Sequence, residues 1–181
     1  MNEGLIPRRY AKAFYGFAME RGESEKMYGL MKNLVGSFSE AESLQTIMSN
    51  PFISAADKVE LLTTAANAGK ENGTFAGFMS LLTENKRLGL ARAIALAYID
   101  IYRKANRIYP VEVVTASPLD TEDETRLKAV VLSHIGCGTM EYTHRVDPSL
   151  IGGFAISIGS ERLDATISNE LKQLRLKLLS N

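Results

Sequence analysis

The chain has 181 residues, 45% hydrophobic and 23% charged, with 21 basic residues balanced by 21 acidic ones. That length holds one good core or two small ones, and electroneutrality argues against a protein living on nucleic acid or anchored by a polybasic patch. A single cysteine, Cys137, excludes an intramolecular disulfide, and no apolar run reaches the roughly 20 residues that span a bilayer.

The first hundred residues read as a succession of helices. Arginines and lysines interrupt the first apolar patch, so no signal peptide is expected there. The first helix starts near Pro7, suited to an initial turn, and carries Tyr10, Ala13, Phe14, Phe17 and Ala18 at three-and-four spacing. Ala11, Tyr15 and Met19 add apolar surface elsewhere. A second helix begins at Ser24 with Met27, Leu30, Met31, Leu34 and Phe38, and a short third must stop before Asn50-Pro51. Ser54 caps a fourth, with Asp57 in its first turn and Val59, Leu62 and Ala66 as its buried side. The fifth, from about Gly73 to Asn85, has Phe75, Ala76, Phe78, Met79, Leu81 and Leu82 wrapping most of the way round. A sixth follows Gly89, with Leu90, Ile94, Ala97, Tyr98 and Ile101 inward. Six helices with short polar connections predict an antiparallel bundle.

Near Arg107 the pattern changes. Tyr109 to Thr115 is a strand-like run led by Pro110. Thr121 and Glu124 have capping-box spacing and open a helix with Leu127, Val130, Val131 and His134 on one face. Met140 to Val146 is a second strand. Asp147-Pro148-Ser149 is turn chemistry, and the pair Gly152-Gly153 predicts a bulge or a close approach of another backbone. Phe154, Ile156 and Ile158 alternate as a third strand. After Gly159-Ser160 a final helix, from about Thr166, is expected to bury Ile167, Leu171, Leu174 and Leu178. The fold class is therefore α+β: a six-helix bundle over residues 1–106, then a small α+β domain over 107–181.

Catalytic chemistry is missing from this pattern. His134, Cys137 and His144 lack a fourth ligand partner, and they read more simply as a helix residue, a small filler and a strand residue. Asp147, Ser149 and His144 hold a triad's residue types without a nucleophile elbow. Glu122-Asp123-Glu124 complements a helix dipole. Neither a P-loop nor a dinucleotide glycine motif occurs. No enzyme activity, metal or cofactor is expected.

What remains is apolar excess on the first and fifth helices. Either both are central in the bundle, or a groove between them accepts an amphipathic helix from another chain. In the second reading Tyr10, Phe14, Phe78 and Leu82 form its walls, with Ala13, Phe17, Leu81 and Asn85 beside them. The leucine-rich last helix is either over-apolar core or a second contact through Leu176 and Leu179, which lie off its main stripe.

The order of these pieces resembles the delta subunit of rotary F-type ATP synthases, the oligomycin-sensitivity-conferring protein of mitochondria. Matching features are Arg9-Tyr10-Ala11-Lys12-Ala13, Asn50-Pro51 and Leu82-Thr83-Glu84-Asn85-Lys86-Arg87-Leu88. The most specific runs from Val146 through Asp147, Gly152, Gly153 and Phe154 to Leu163-Asp164. The resemblance implies a non-catalytic peripheral-stalk subunit without cofactors. Its bundle would bind N-terminal segments of alpha subunits. Its second domain would hold the C-terminal ends of the b subunits, with Leu171, Leu174, Leu176 and Leu179 as expected contacts. Asp147, Gly152, Gly153 and Asp164 would be structural turn residues. It also implies a peripheral place on the cytoplasmic face of a bacterial inner membrane, reached only through the complex, with no nucleic acid and no homo-oligomer. A contrasting resemblance, carried by Arg8-Arg9-Tyr10-Ala11, is to helical RNA-binding antitermination factors.

Overall fold

The computed structural model describes residues 4–69 and 72–179, side chains of 173–175 and 177–179 excepted. The chain divides into two compact units, Met1–Ala105 and Asn106–Asn181.

The first unit contains six α-helices among its described residues: α1 (Leu5–Glu20), α2 (Ser24–Glu40), α3 (Glu42–Ser49), α4 (Ala55–Ala65), α5 (Gly73–Glu84) and α6 (Ala91–Ala105). Helix α6 packs along both α1 and α2. The buried stripe of α1 is Pro7, Ala11, Phe14 and Ala18; it keeps Phe14 and Ala18 of the expected stripe, while Tyr10, Ala13 and Phe17 turn outward. Two alanines on that stripe let backbones approach, and the larger α6 residues Ile94, Tyr98 and Ile99 are buried on the facing helix. Aromatic rings continue the core: Tyr15 lies edge-on to Tyr98 at 5.9 Å, and Tyr28 stacks on Tyr102 at 4.3 Å. Burying Tyr98 is tolerable because its hydroxyl donates to the Ser24 carbonyl at 3.1 Å.

Helix ends are closed by local chemistry. Ser54 and Asn72 cap α4 and α5 by accepting from the backbone N–H of Asp57 and Phe75. Helices α1, α4 and α5 each end in a Schellman motif, centred on Gly22, Asn67 and Lys86 at positive φ. At the end of α5 this gives Lys86 N–H to the Thr83 carbonyl and Arg87 N–H to the Leu82 carbonyl. Ser37 and Asn33 of α2 donate to the Ala65 and Ala66 carbonyls, satisfying the orphan acceptors of α4.

The second unit is a four-stranded mixed sheet with two helices among its described residues. Its elements are β1 (Ile108–Thr115), α7 (Thr121–Ile135), β2 (Thr139–Val146), β3 (Gly153–Ile158), β4 (Glu161–Thr166) and α8 (Ile167–Leu179). The strand order is β2-β1-β3-β4. Strands β1 and β2 are parallel because α7 crosses between them; β3 pairs antiparallel with β1 and β4. Val111, Val113 and Ile156 form the core with Val131 of α7.

Four sequence expectations are corrected here. Strand β4 was expected as part of a turn before the last helix; its alternation is mostly polar, as suits an edge strand. The cap of α7 is Asp120, accepting from the Asp123 N–H at 2.9 Å, so Thr121 is the first helical residue. The inward face of α7 is Leu127, Val131 and Ile135, while Val130 and His134 face solvent. The last helix does not bury its leading residues: Ile167 and Leu171 are both exposed. The side chains of Leu174, Leu178 and Leu179 lie outside the described residues.

The Gly-Gly turn behaves as its sequence predicts. Asp147 Oδ1 accepts from both the N–H and the hydroxyl of Ser149, at 3.0 and 2.6 Å, which folds the Asp-Pro-Ser run into a short 3-10 turn. Gly153 has φ +78°, and a Cβ there would strike the carbonyl oxygen of Ala165 on β4. Across the same junction, Asp164 Oδ1 accepts from the hydroxyl and N–H of Thr166, at 2.7 and 3.2 Å, and Ile167 N–H reaches the Gly152 carbonyl at 3.0 Å. The segment ties the ends of β1, β3 and β4 into one corner.

Candidate partner-binding groove

Helices α1 and α5 meet through Phe14 and Phe78, whose rings stack at 3.9 Å with 16° between planes. Both are nearly buried, so they form a floor rather than walls. Above that floor lies an open cleft of about 340 Å³ lined also by Tyr10, Ala13, Phe17, Gly77 and Leu81. Phe17 is 40% exposed and Leu81 43%, large apolar side chains facing water on opposite walls. Phe17 is held in place by the Arg21 guanidinium, 4.3 Å from its ring centroid. Gly77 leaves open space in the α5 wall, since an added Cβ would meet no atom within 4 Å.

A second cleft of about 540 Å³ shares Tyr10, Ala13 and Leu81 with the first and extends it past Ile6 to Arg9 and Arg87. Together they make one trough along the seam of the two helices. The trough is apolar where Phe17 and Leu81 face each other and basic where Arg9 and Arg87 close it.

The expected groove residues are therefore brought together with two exceptions. Leu82 is fully buried, facing the core, because the buried positions 75, 78, 79 and 82 define the inward side of α5. Asn85 is exposed and spends its side-chain amide on the Leu81 carbonyl at 2.8 Å, closing the helix end. Ile6, Arg9, Gly77 and Arg87 were not foreseen; the sequence signal for Gly77 was a mid-helix glycine, which costs about 0.5–1 kcal/mol relative to alanine.

In the second unit, Leu171 and Leu176 of α8 are 54% and 56% exposed. A smaller cleft of about 290 Å³ lies between α7 and the β3–β4 edge, over Val130, Ile156, Ile158 and Leu163, with the His134–Glu161 pair at its rim. Neither histidine gathers a metal set. His144 Nε2 is 2.8 Å from the Thr115 hydroxyl, which itself lies 2.6 Å from the Ser117 carbonyl. Cys137 is exposed, and no group of three possible metal ligands occurs among the described residues. No helix among them is long and apolar enough to cross a membrane.

Comparison with known proteins covers both units. The family model described as ATP synthase delta (OSCP) subunit matches residues 6–178. The ATP synthase subunit delta of Bacteroides thetaiotaomicron is 36% identical over 99% of this chain and 96% of its own. That of Parabacteroides distasonis is 37% identical over 100% and 99%. A chain in the cryo-EM structure of the Toxoplasma gondii mitochondrial ATP synthase hexamer shares the fold, with a TM-score of 0.73 at 21% identity over 96% of this chain and 97% of that one. A match that runs through the sheet as well as the bundle leaves the antitermination resemblance without its α+β half. With bundle, corner motif and length all accounted for, the chain belongs to the ATP synthase delta (OSCP) subunit family.

Proposed function

We propose that this subunit is a non-catalytic stator element, joining the catalytic head of a rotary ATP synthase to its peripheral stalk. The observation that carries the reading is the trough between α1 and α5. A monomer gains nothing by leaving Phe17 and Leu81 in water across a gap, whereas an amphipathic helix laid between them would bury both. The N-terminal segment of an alpha subunit is the proposed occupant. Exposed Leu171 and Leu176, and the cleft between α7 and β4, are the apolar surfaces the second unit offers to b-subunit ends. A joint under torque must outlast many turnovers; nanomolar dissociation corresponds to about 12 kcal/mol, which apolar docking supplies better than rim charge alone. The protein would sit on the cytoplasmic face of the bacterial inner membrane, held there by its complex, with no nucleic acid and no second copy of itself.

The test is reconstitution. Membranes stripped of this subunit should regain ion-driven ATP synthesis on adding the purified chain and should not regain it with Leu81→Asp. Equal recovery with both proteins would contradict the groove's role.

A further inference from the structure

Resting on the groove as a helix-docking site, we propose that Arg9 and Arg87 select the docked helix by charge. The occupant then carries acidic side chains at the end lying in their mouth of the trough. The two ends of the trough are chemically unlike. At the Phe17 end the nearby cation is already engaged: Arg21 lies over the Phe17 ring, and its Nη1 donates to the Thr74 hydroxyl at 3.4 Å. At the other end Arg9 and Arg87 line the cleft with Ile6, Tyr10, Ala13 and Leu81, and none of these lining residues is a carboxylate. Neither arginine is ion-paired to a described residue.

Their placement is built in. Arg9 stands one position before Tyr10 on α1, beside the floor. Arg87 is the residue whose N–H closes the Schellman motif of α5 onto the Leu82 carbonyl at 2.8 Å, with Lys86 at φ +55° before it. The backbone of that position cannot drift without opening the end of α5. Two guanidinium groups on opposite walls of an apolar slot, each a planar fork of donors, match carboxylates on a helix lying between them. Lys86 adds a positive charge directly before Arg87, against Glu84 alone in the last turn of α5. Charges at an interface rim fix register and direction more than they add affinity. The arginine mouth therefore decides which way round the occupant lies, while Phe17 and Leu81 hold it.

The experiment is a calorimetric titration of the full chain at low salt with two peptides. One is the N-terminal segment of the alpha subunit from the same organism; the other has every Asp and Glu replaced by Asn and Gln. The neutralised peptide should bind about three- to tenfold more weakly, and the gap should close in about 0.5 M salt. The double variant Arg9→Gln/Arg87→Gln, at exposed positions that leave the bundle folded, should bind both peptides alike. Discrimination of less than twofold by the wild-type chain, or discrimination surviving in the double variant, overturns the charge inference and leaves the groove standing. Binding of neither peptide overturns the groove reading and this inference with it.

Discussion

At Gly153 one missing methyl group decides whether β3 and β4 can meet. The left-handed φ of +78° and the Ala165 carbonyl both forbid a Cβ, so Gly153→Ala should destabilise the α+β unit by more than about 2 kcal/mol. Hydrogen exchange resolved by residue should show the sheet amides opening faster while those of the bundle keep their protection. Two aspartates brace the same corner. The Thr166 hydroxyl, and behind it the Thr166 N–H and Arg162, hold the Asp164 carboxyl below the usual carboxylate range; the Ser149 hydroxyl and N–H do the same for Asp147. A lowered folded value stabilises the native state above the ordinary carboxylate pKa, and that contribution is lost as pH falls through the lowered one. Asp164→Asn should thus flatten the acid limb of the sheet's stability profile. The opposite sign holds in the bundle. Burial first, then the nearby Tyr15 and Tyr102, push the Tyr98 phenol far above its usual value. Its contribution is complete below about pH 10 and disappears at higher pH. Tyr98→Phe should cost about 1 kcal/mol at neutral pH and remove that alkaline loss, as chemical denaturation at several pH values would report.

Between elements, α1 and α5 divide their apolar residues between two tasks. Phe14 and Phe78 belong to the interior, so Phe78→Ala should cost about 3–5 kcal/mol of bundle stability. Phe17 and Leu81 belong to the trough, so Phe17→Asp should leave the melting temperature nearly unchanged and abolish peptide binding. Gly77→Leu separates packing from charge. It replaces a poor helix former, and its Cβ meets no atom within 4 Å, so the bundle should gain stability while the side chain fills the trough and excludes the ligand. The excess on these helices was legible in the sequence because α1 carries Ala11, Tyr15 and Met19 besides the five apolar residues of one stripe. Which positions face inward was not, since Tyr10, Ala13 and Phe17 fit one helical face as well as Pro7, Ala11, Phe14 and Ala18 fit another. The choice is made by α6, a partner about 80 residues distant in sequence. Strand β4 was illegible for a related reason: an edge strand alternating Glu161, Leu163 and Ala165 with Arg162, Asp164 and Thr166 carries little hydrophobic signal. The last helix misled because its leading apolar residues look like core, yet Ile167 and Leu171 remain in contact with water.

Over the whole chain, two separately built units each present apolar surface to solvent. The stator role proposed above needs one such surface for each partner. The grip most open to measurement is the trough between α1 and α5. Isothermal calorimetry of the full chain with the alpha N-terminal peptide should give a dissociation constant in the nanomolar range for the wild type. Leu81→Asp, with an unchanged circular dichroism spectrum, should show no measurable heat of binding. Equal affinity for wild type and Leu81→Asp would place the docked helix elsewhere and contradict the account.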